Sequence, residues 1–240
     1  MIDVLYILGD GSLWDNRELR YSLRSLQRFA EGIGRVFVVG EDPGYLSDAV
    51  EFRPVAEADG PKEYRIAAKI LWAFENTDIS DTVFFMNDDL VLWKPIQVST
   101  YPNYWKGNLK SREHQDPVYQ HAIDETCKVL AAHGYETKHY DTHKPILYER
   151  EKFLGLGEWW ERSRKSLGGF VVKSIYGNVL KIDPGPREKD FKLDKGFPRG
   201  EKLRDKIGDR DCWSYGDGAR CALADFLGRE FPERSVYERA

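Results

Sequence analysis

Cysteine is scarce in this chain. Three occur in 240 residues, Cys127, Cys212 and Cys221, with no framework spacing and no histidine at zinc-finger distance. That excludes a disulfide scaffold and a small zinc module, and it suits buried or free thiols in a reducing compartment. Long apolar runs are missing as well, and none approaches the ~18 residues of a membrane span. The opening Met1-Ile2-Asp3-Val4 has neither the basic nor the apolar region of a signal peptide, so a cytoplasmic location is expected. No charge of one sign dominates. The net charge of −4 gives no general affinity for nucleic acid or anionic membrane. What remains, 41% hydrophobic and 32% charged residues, is the make-up of an ordinary globular chain long enough for one large α/β domain.

The most informative stretch is Thr82-Val83-Phe84-Phe85-Met86-Asn87-Asp88-Asp89-Leu90-Val91-Leu92. Its apolar run reads as a strand buried on both faces, as in a parallel sheet. The run ends in an amide and two carboxylates. Adjacent acids at the end of a buried strand repel each other, and a divalent cation relieves both the repulsion and the burial cost. Mg²⁺ typically takes one or two carboxylates plus substrate phosphates, and open α/β sheets bind ligands beyond the carboxyl ends of their strands. Asn87, Asp88 and Asp89 are therefore the candidate metal–diphosphate site. The plainer alternative is a polar turn between two short strands.

The preceding elements supply a frame. Asp3 to Leu8 reads as a first strand, closed by Gly9-Asp10-Gly11-Ser12, where small residues let a ligand approach. Leu19, Leu23, Leu26 and Ala30 fall at helical spacing, with Asp15 and Glu18 as a capping pair. Arg35 to Val39 is a second buried strand, Ala49 to Val55 an additional one, and Lys62 to Phe74 a helix. This alternation predicts a parallel sheet with crossover helices. Arg65 and Lys69 point the same way from their helix and, with Arg20 on the first helix, are candidates to clamp phosphates. A solvated basic stripe is the commoner outcome for such a pattern.

Beyond Trp93 the pattern changes. Tyr101, Tyr104, Trp105 and Tyr119 place aromatics in polar surroundings, suited to stacking on a sugar or to a subunit contact. Asp116-Pro117 starts a helix that stops at Ala131-Ala132-His133-Gly134. Tyr135 to Tyr140 reads as a short strand leading to His143-Lys144-Pro145, a rigid turn whose histidine is a candidate general base or phosphate ligand. His114, His121, His133 and His139 read as solvent or capping residues. Glu149 to Lys165 reads as helix and Phe170 to Tyr176 as strand. Lys181 to Arg210 holds ten Lys/Arg against seven Asp/Glu and reads as a loop over a site. Asp217 opens a last helix carrying Ala219, Leu223, Phe226 and Leu227, a position where a carboxylate is commonly a cap.

Taken together, several of these segments resemble the Stealth family of sugar-phosphate transferases. They are Ile2 to Tyr6 with Asp10-Gly11-Ser12, the Glu18-Leu19-Arg20-Tyr21-Ser22-Leu23-Arg24-Ser25 run, Asn87-Asp88-Asp89, His143-Lys144-Pro145 and Cys212 to Gly218. The resemblance implies a GT-A-like, Rossmann-like fold: a mostly parallel sheet flanked by helices, with helical and loop insertions in the C-terminal half. It implies Mg²⁺ or Mn²⁺ at Asp88 and Asp89, a UDP-sugar donor, and roles for Asp10, His143 and Asp217. Two of the family's segments differ. Its Phe-Asn-Ser is replaced by Pro61-Lys62-Glu63-Tyr64-Arg65, and its later Arg and Asp have no clear counterparts in Ser166 to Tyr176.

The expectation is a single transferase domain over 1–240, with donor binding in 1–100 and the acceptor and catalytic half in 101–240. Asp10, Gly11, Arg20, Arg65, Lys69 and Asn87 would bind the donor. His143, Asp217 and Asp89 would be catalytic, and a sugar or a sugar-1-phosphate would move to an acceptor hydroxyl. That hydroxyl could belong to a glycan, a small molecule or a hydroxylated base in DNA. A non-catalytic nucleotide- or carbohydrate-binding module is the competing class.

Overall fold

The structure, a computed structural model, describes residues 1–111, 116–189, 191–194 and 196–239. The first half alternates as expected: β1 (Ile2–Leu8), α1 (Arg17–Phe29), β2 (Ala30–Glu31), β3 (Ile33–Gly40), β4 (Val50–Pro54), α2 (Lys62–Asn76), β5 (Thr82–Met86), β6 (Leu90–Leu92) and β7 (Ile96–Gln97). The second half contains α3 (Pro117–Ala132), β8 (Ile146–Glu149), α4 (Arg150–Leu154), α5 (Gly157–Lys165), α6 (Val172–Val179), β9 (Lys192–Leu193), α7 (Glu201–Ile207), β10 (Cys212–Tyr215) and α8 (Arg220–Glu230).

The central sheet has the order β4-β3-β1-β5-β8. Its first four strands are parallel, and β8 runs antiparallel to β5. Because side chains alternate across a strand, β5 feeds both faces. Phe84 and Met86 pack with Leu19, Leu23 and Leu26 of α1. Val83 and Phe85 pack with Ala67, Ile70 and Phe74 of α2 and with the later helices. The chain builds outward from β1 through β3 to β4, then crosses to β5 on the other side of β1. That reversal opens a crevice beyond Leu8 and Met86, at the carboxyl ends of the two strands. A second sheet, β6-β10-β9, carries the chain away from the crevice and packs on α7 and α8 through Trp213, Leu203 and Leu223.

Several readings are corrected by the fold. Residues 135–140 make one isolated bridge, Asn108 to Lys138, in place of a strand. Their backbone donors are taken by side chains of α6, Lys138 by Asn178 and Tyr140 by Ser174. Phe170 to Tyr176 lies largely in α6, a helix buried all round, where an apolar run carries no period to tell it from a strand. The helix expected over Glu149 to Lys165 is broken at Gly155 into α4 and α5. Lys181 to Arg210 holds β9 and α7 rather than loop alone. Asp15 does not cap α1. Ser12 Oγ accepts the N–H groups of Trp14 and Asn16 and donates to the Glu18 carboxylate. His139 is buried beside the Tyr119 hydroxyl, whereas His133 caps α3; His114 lies outside the described residues. Cys127 and Cys212 are free and buried. Among the described residues, no helix is long and apolar enough to cross a membrane.

The C-terminal segment is strapped onto α1 by Glu238, whose side chain is fully buried and pairs with Arg24 at 2.7 Å and Arg20 at 3.1 Å. Burial alone would raise the Glu238 pKa, but hydrogen bonds from Arg24 and the Ser235 N–H hold it below the ordinary value. Removing one partner of such a pair strands the other charge. Glu238→Ala is expected to lose on the order of 3 kcal/mol in urea unfolding at pH 7. A carboxylate held low stabilises the fold above its unfolded pKa and loses that contribution as pH falls. The gap between wild type and Glu238→Gln should therefore close in acid.

Candidate functional site

The turn after β5 places Asn87, Asp88 and Asp89 at the mouth of the crevice. The Leu90 N–H closes the turn on the Asn87 carbonyl at 3.2 Å, and the chain enters β6. Asp88 is pushed up to about 7, first by burial and then by the charges of Asp89 and Glu18. Glu18 is itself buried at the start of α1, where Ser12 holds it and the helix dipole favours an anion. Three acids therefore share one field. A cation reaches this cluster: Lys192 Nζ, from β9, lies 3.0 Å from Asp89 Oδ2. Asp89 Oδ1 and Asn87 Oδ1 are buried acceptors without a protein donor, a costly state unless a ligand or ion completes them.

The antiparallel direction of β8 brings a second group to the same edge. Ile146 pairs with Phe85, so the turn before β8, His143-Lys144-Pro145, lies beyond the carboxyl end of β5. His143 lines a shallow cleft with Thr142, Lys144, Glu188, Phe191 and Cys212. Asp141, two residues before it, is half-buried. Burial would raise its pKa, but Lys173, Lys106 and His143 together with the Tyr119 hydroxyl hold it well below the ordinary value. Lys173 Nζ also donates to the carbonyls of Thr142 and Lys144, at 3.0 and 2.8 Å, which fixes the turn. Lys144 pairs with Asp211 and Glu188 and sits over the Tyr104 ring at 4.2 Å. Burial works against the Lys192 charge, but Asp89, and after it Asp88 and Asp141, hold its pKa above the ordinary value.

The other expected residues are distributed unevenly. Asp10 and Gly11 are exposed at the carboxyl end of β1, and a Cβ at Gly11 would meet nothing within 4 Å. Lys69 is near, but its ammonium is engaged. It donates to the Leu8 carbonyl at 2.5 Å and pairs with Glu57, which anchors the Gly9 turn. Arg65 donates to the Gly60 carbonyl at 2.9 Å. Arg20 pairs with Glu238 and stacks on Tyr45 at 3.8 Å. Arg20 and Lys69 are thus paired with carboxylates, whereas Arg65 uses its Nε on a backbone carbonyl. Asp217 starts a short turn after β10, and its side chain lies outside the described residues. Glu18, Asp141, Lys173 and Lys192 were missed as site residues. Glu18 had been read as a cap partner and Lys192 as one charge in a mixed stretch, and neither reading carries a spatial partner.

No protein-family model matches the chain, and no curated protein matches it. Solved structures do. The crystal structure of the galactosyltransferase LgtC in complex with donor and acceptor sugar analogues superposes with a TM-score of 0.53 at 12% identity, covering 98% of each chain. A structure of an LgtC active-site mutant gives 0.49 at 12% identity, covering 94% of this chain and 96% of that one. The fold is GT-A-like.

GT-A enzymes typically use divalent metals. Among the described residues, no three His, Cys, Asp or Glu side chains converge on one point. The turn instead offers the two carboxylates and the Asn87 amide oxygen, two of these residues with an orphaned oxygen. That set is too small for an all-protein cage. It suits Mg²⁺ or Mn²⁺ shared with substrate phosphates.

The raised Asp88 gives a test that needs no substrate. A carboxyl whose folded pKa lies above its unfolded value stabilises the fold below the unfolded pKa, and that contribution is lost as pH rises through about 7. In chelator, Asp88→Asn is expected to unfold at a higher temperature than wild type at pH 8. The gain, about 1–2 kcal/mol after allowance for solvent screening, should fade by pH 4.

Proposed function

We propose that the chain is a metal-dependent nucleotide-sugar transferase that moves a sugar to an acceptor hydroxyl. The observation that carries this reading is the position of Asn87-Asp88-Asp89. In a GT-A-like sheet, an acidic turn with orphaned oxygens closes the strand beside the switch-point crevice. The donor-and-acceptor complex of LgtC supports a nucleotide-sugar donor and a saccharide acceptor for this chain too.

Asp88 and Asp89 would hold Mg²⁺ or Mn²⁺ against the donor diphosphate. When bound, the cation supplies countercharge to that diphosphate as it leaves. Asp10, Gly11 and Asn87 would contact the nucleoside and the donor sugar from the ends of β1 and β5. His143, on its braced turn at the same edge, would accept the proton of the acceptor hydroxyl, with Asp141 favouring the resulting imidazolium. The acceptor oxygen bonds to the anomeric carbon, the bond from that carbon to the diphosphate oxygen breaks, and the nucleoside diphosphate departs with the electron pair. Residues 1–100 would thus serve the donor and 101–240 the acceptor. The Stealth resemblance favours cleavage between the phosphates instead, which releases a nucleoside monophosphate.

Mass spectrometry of products from a panel of UDP-sugars with Mn²⁺, with and without chelator, decides between these outcomes. Glycosyl transfer or slow donor hydrolysis yields UDP and stops with chelator; UMP would establish sugar-1-phosphate transfer. Asp89→Ala should lower turnover by about 10³-fold or more while the protein still folds and unfolds cooperatively. Turnover insensitive to both chelator and Asp89→Ala would refute the reading.

A further inference from the structure

Among the described residues it is Lys192 that pairs with Asp89, and its placement suits a cation that can exchange. It stands on a two-residue strand, β9, that pairs in parallel with β10 at Ser214 and Tyr215. Its side chain is 36% exposed, whereas that of Asp89 is 18% exposed. The stem runs past Gly216, where an added Cβ would come within 3.4 Å of Lys192 Cε. The pair uses only one Asp89 oxygen; the other is buried and unpartnered. A monovalent ammonium therefore half-satisfies a carboxylate that stands next to a second acid, Asp88.

We propose that Lys192 is an exchangeable counterion of Asp89, which a divalent cation displaces from the carboxylate and which then pairs with the donor diphosphate. The inference rests on the metal–diphosphate reading of the Asn87-Asp88-Asp89 turn. Its physical basis is competition. The ammonium and the divalent ion seek the same oxygens, and the ammonium repels the incoming ion. Once released, a lysine on a flexible four-carbon stem reaches phosphate as a point charge. The same residue thus weakens cation binding in the absence of donor and strengthens donor binding in its presence. β9 and the residues around it would follow the occupancy of the site.

Calorimetric titration of the whole chain with MnCl₂ alone, then with UDP at saturating Mn²⁺, tests this on wild type, Lys192→Met and Lys192→Arg. Lys192→Met should bind Mn²⁺ about tenfold more tightly than wild type, yet bind UDP more weakly. Lys192→Arg keeps the charge and should stay near wild type in the first titration, which separates loss of charge from damage to the fold. Equal or weaker Mn²⁺ binding by Lys192→Met overturns the proposal while leaving the metal reading intact. Absence of Mn²⁺ binding in wild type and both variants, with UDP present or absent, overturns both.

Discussion

Repulsion between carboxylates at the end of a buried strand is the constraint on which the site depends. β5 is apolar on both faces because helices cover both, so the residues that follow it leave the core without water on every side. Placing Asp88 there, beside Asp89 and within the field of Glu18, raises the cost of ionising Asp88. The fold meets that cost only in part. Ser12 holds Glu18 at a helix start, and Lys192 holds one oxygen of Asp89. The remaining oxygens of Asn87 and Asp89 stay open. A stretch selected for stability alone would not keep this arrangement. On the proposed reading, a cation and a diphosphate would complete it.

The rest of the molecule can be read as support for that edge. The order β4-β3-β1-β5 opens the crevice at β1 and β5. Reversal of β8 then returns the chain to the same edge, where Lys173 braces the turn that carries His143. The second sheet brings β9, and with it Lys192, across from the other side. Elements distant in sequence thus converge on one opening, while Arg24 and Glu238 fasten the C-terminal segment to the helix that positions Glu18.

Much of this was legible in the sequence, for physical reasons that also mark its limits. β1, β3 and β5 announce themselves because each is a short run buried on two faces, and the abrupt change from Met86 to Asn87 marks the candidate site. The alternation predicts a parallel sheet with crossover helices, and the GT-A-like form of it is what the Stealth resemblance implies. α6 was misread because a helix buried all round has no amphipathic period. Residues 135–140 do not form a strand because their backbone bonds are shared among the 106–109 segment and the side chains of Asn178 and Ser174, partners that spacing does not reveal. The cations were the hardest. Arg20, Arg65 and Lys69 have spacing that suggests phosphate binding, but each is engaged by a carboxylate or carbonyl that spacing cannot show. Lys192 has no such spacing and lies on the site. Charge partners are a property of tertiary structure.

The measurement that bears most directly on the central claim is the affinity of UDP at fixed pH, with Mn²⁺ and with chelator, for wild type and for Asp88→Asn. If the acidic turn holds a cation against the diphosphate, wild type binds UDP with Mn²⁺ and loses it with chelator, and Asp88→Asn binds weakly in both. Equal affinity in all four conditions would contradict the account and leave Asn87-Asp88-Asp89 a structural turn.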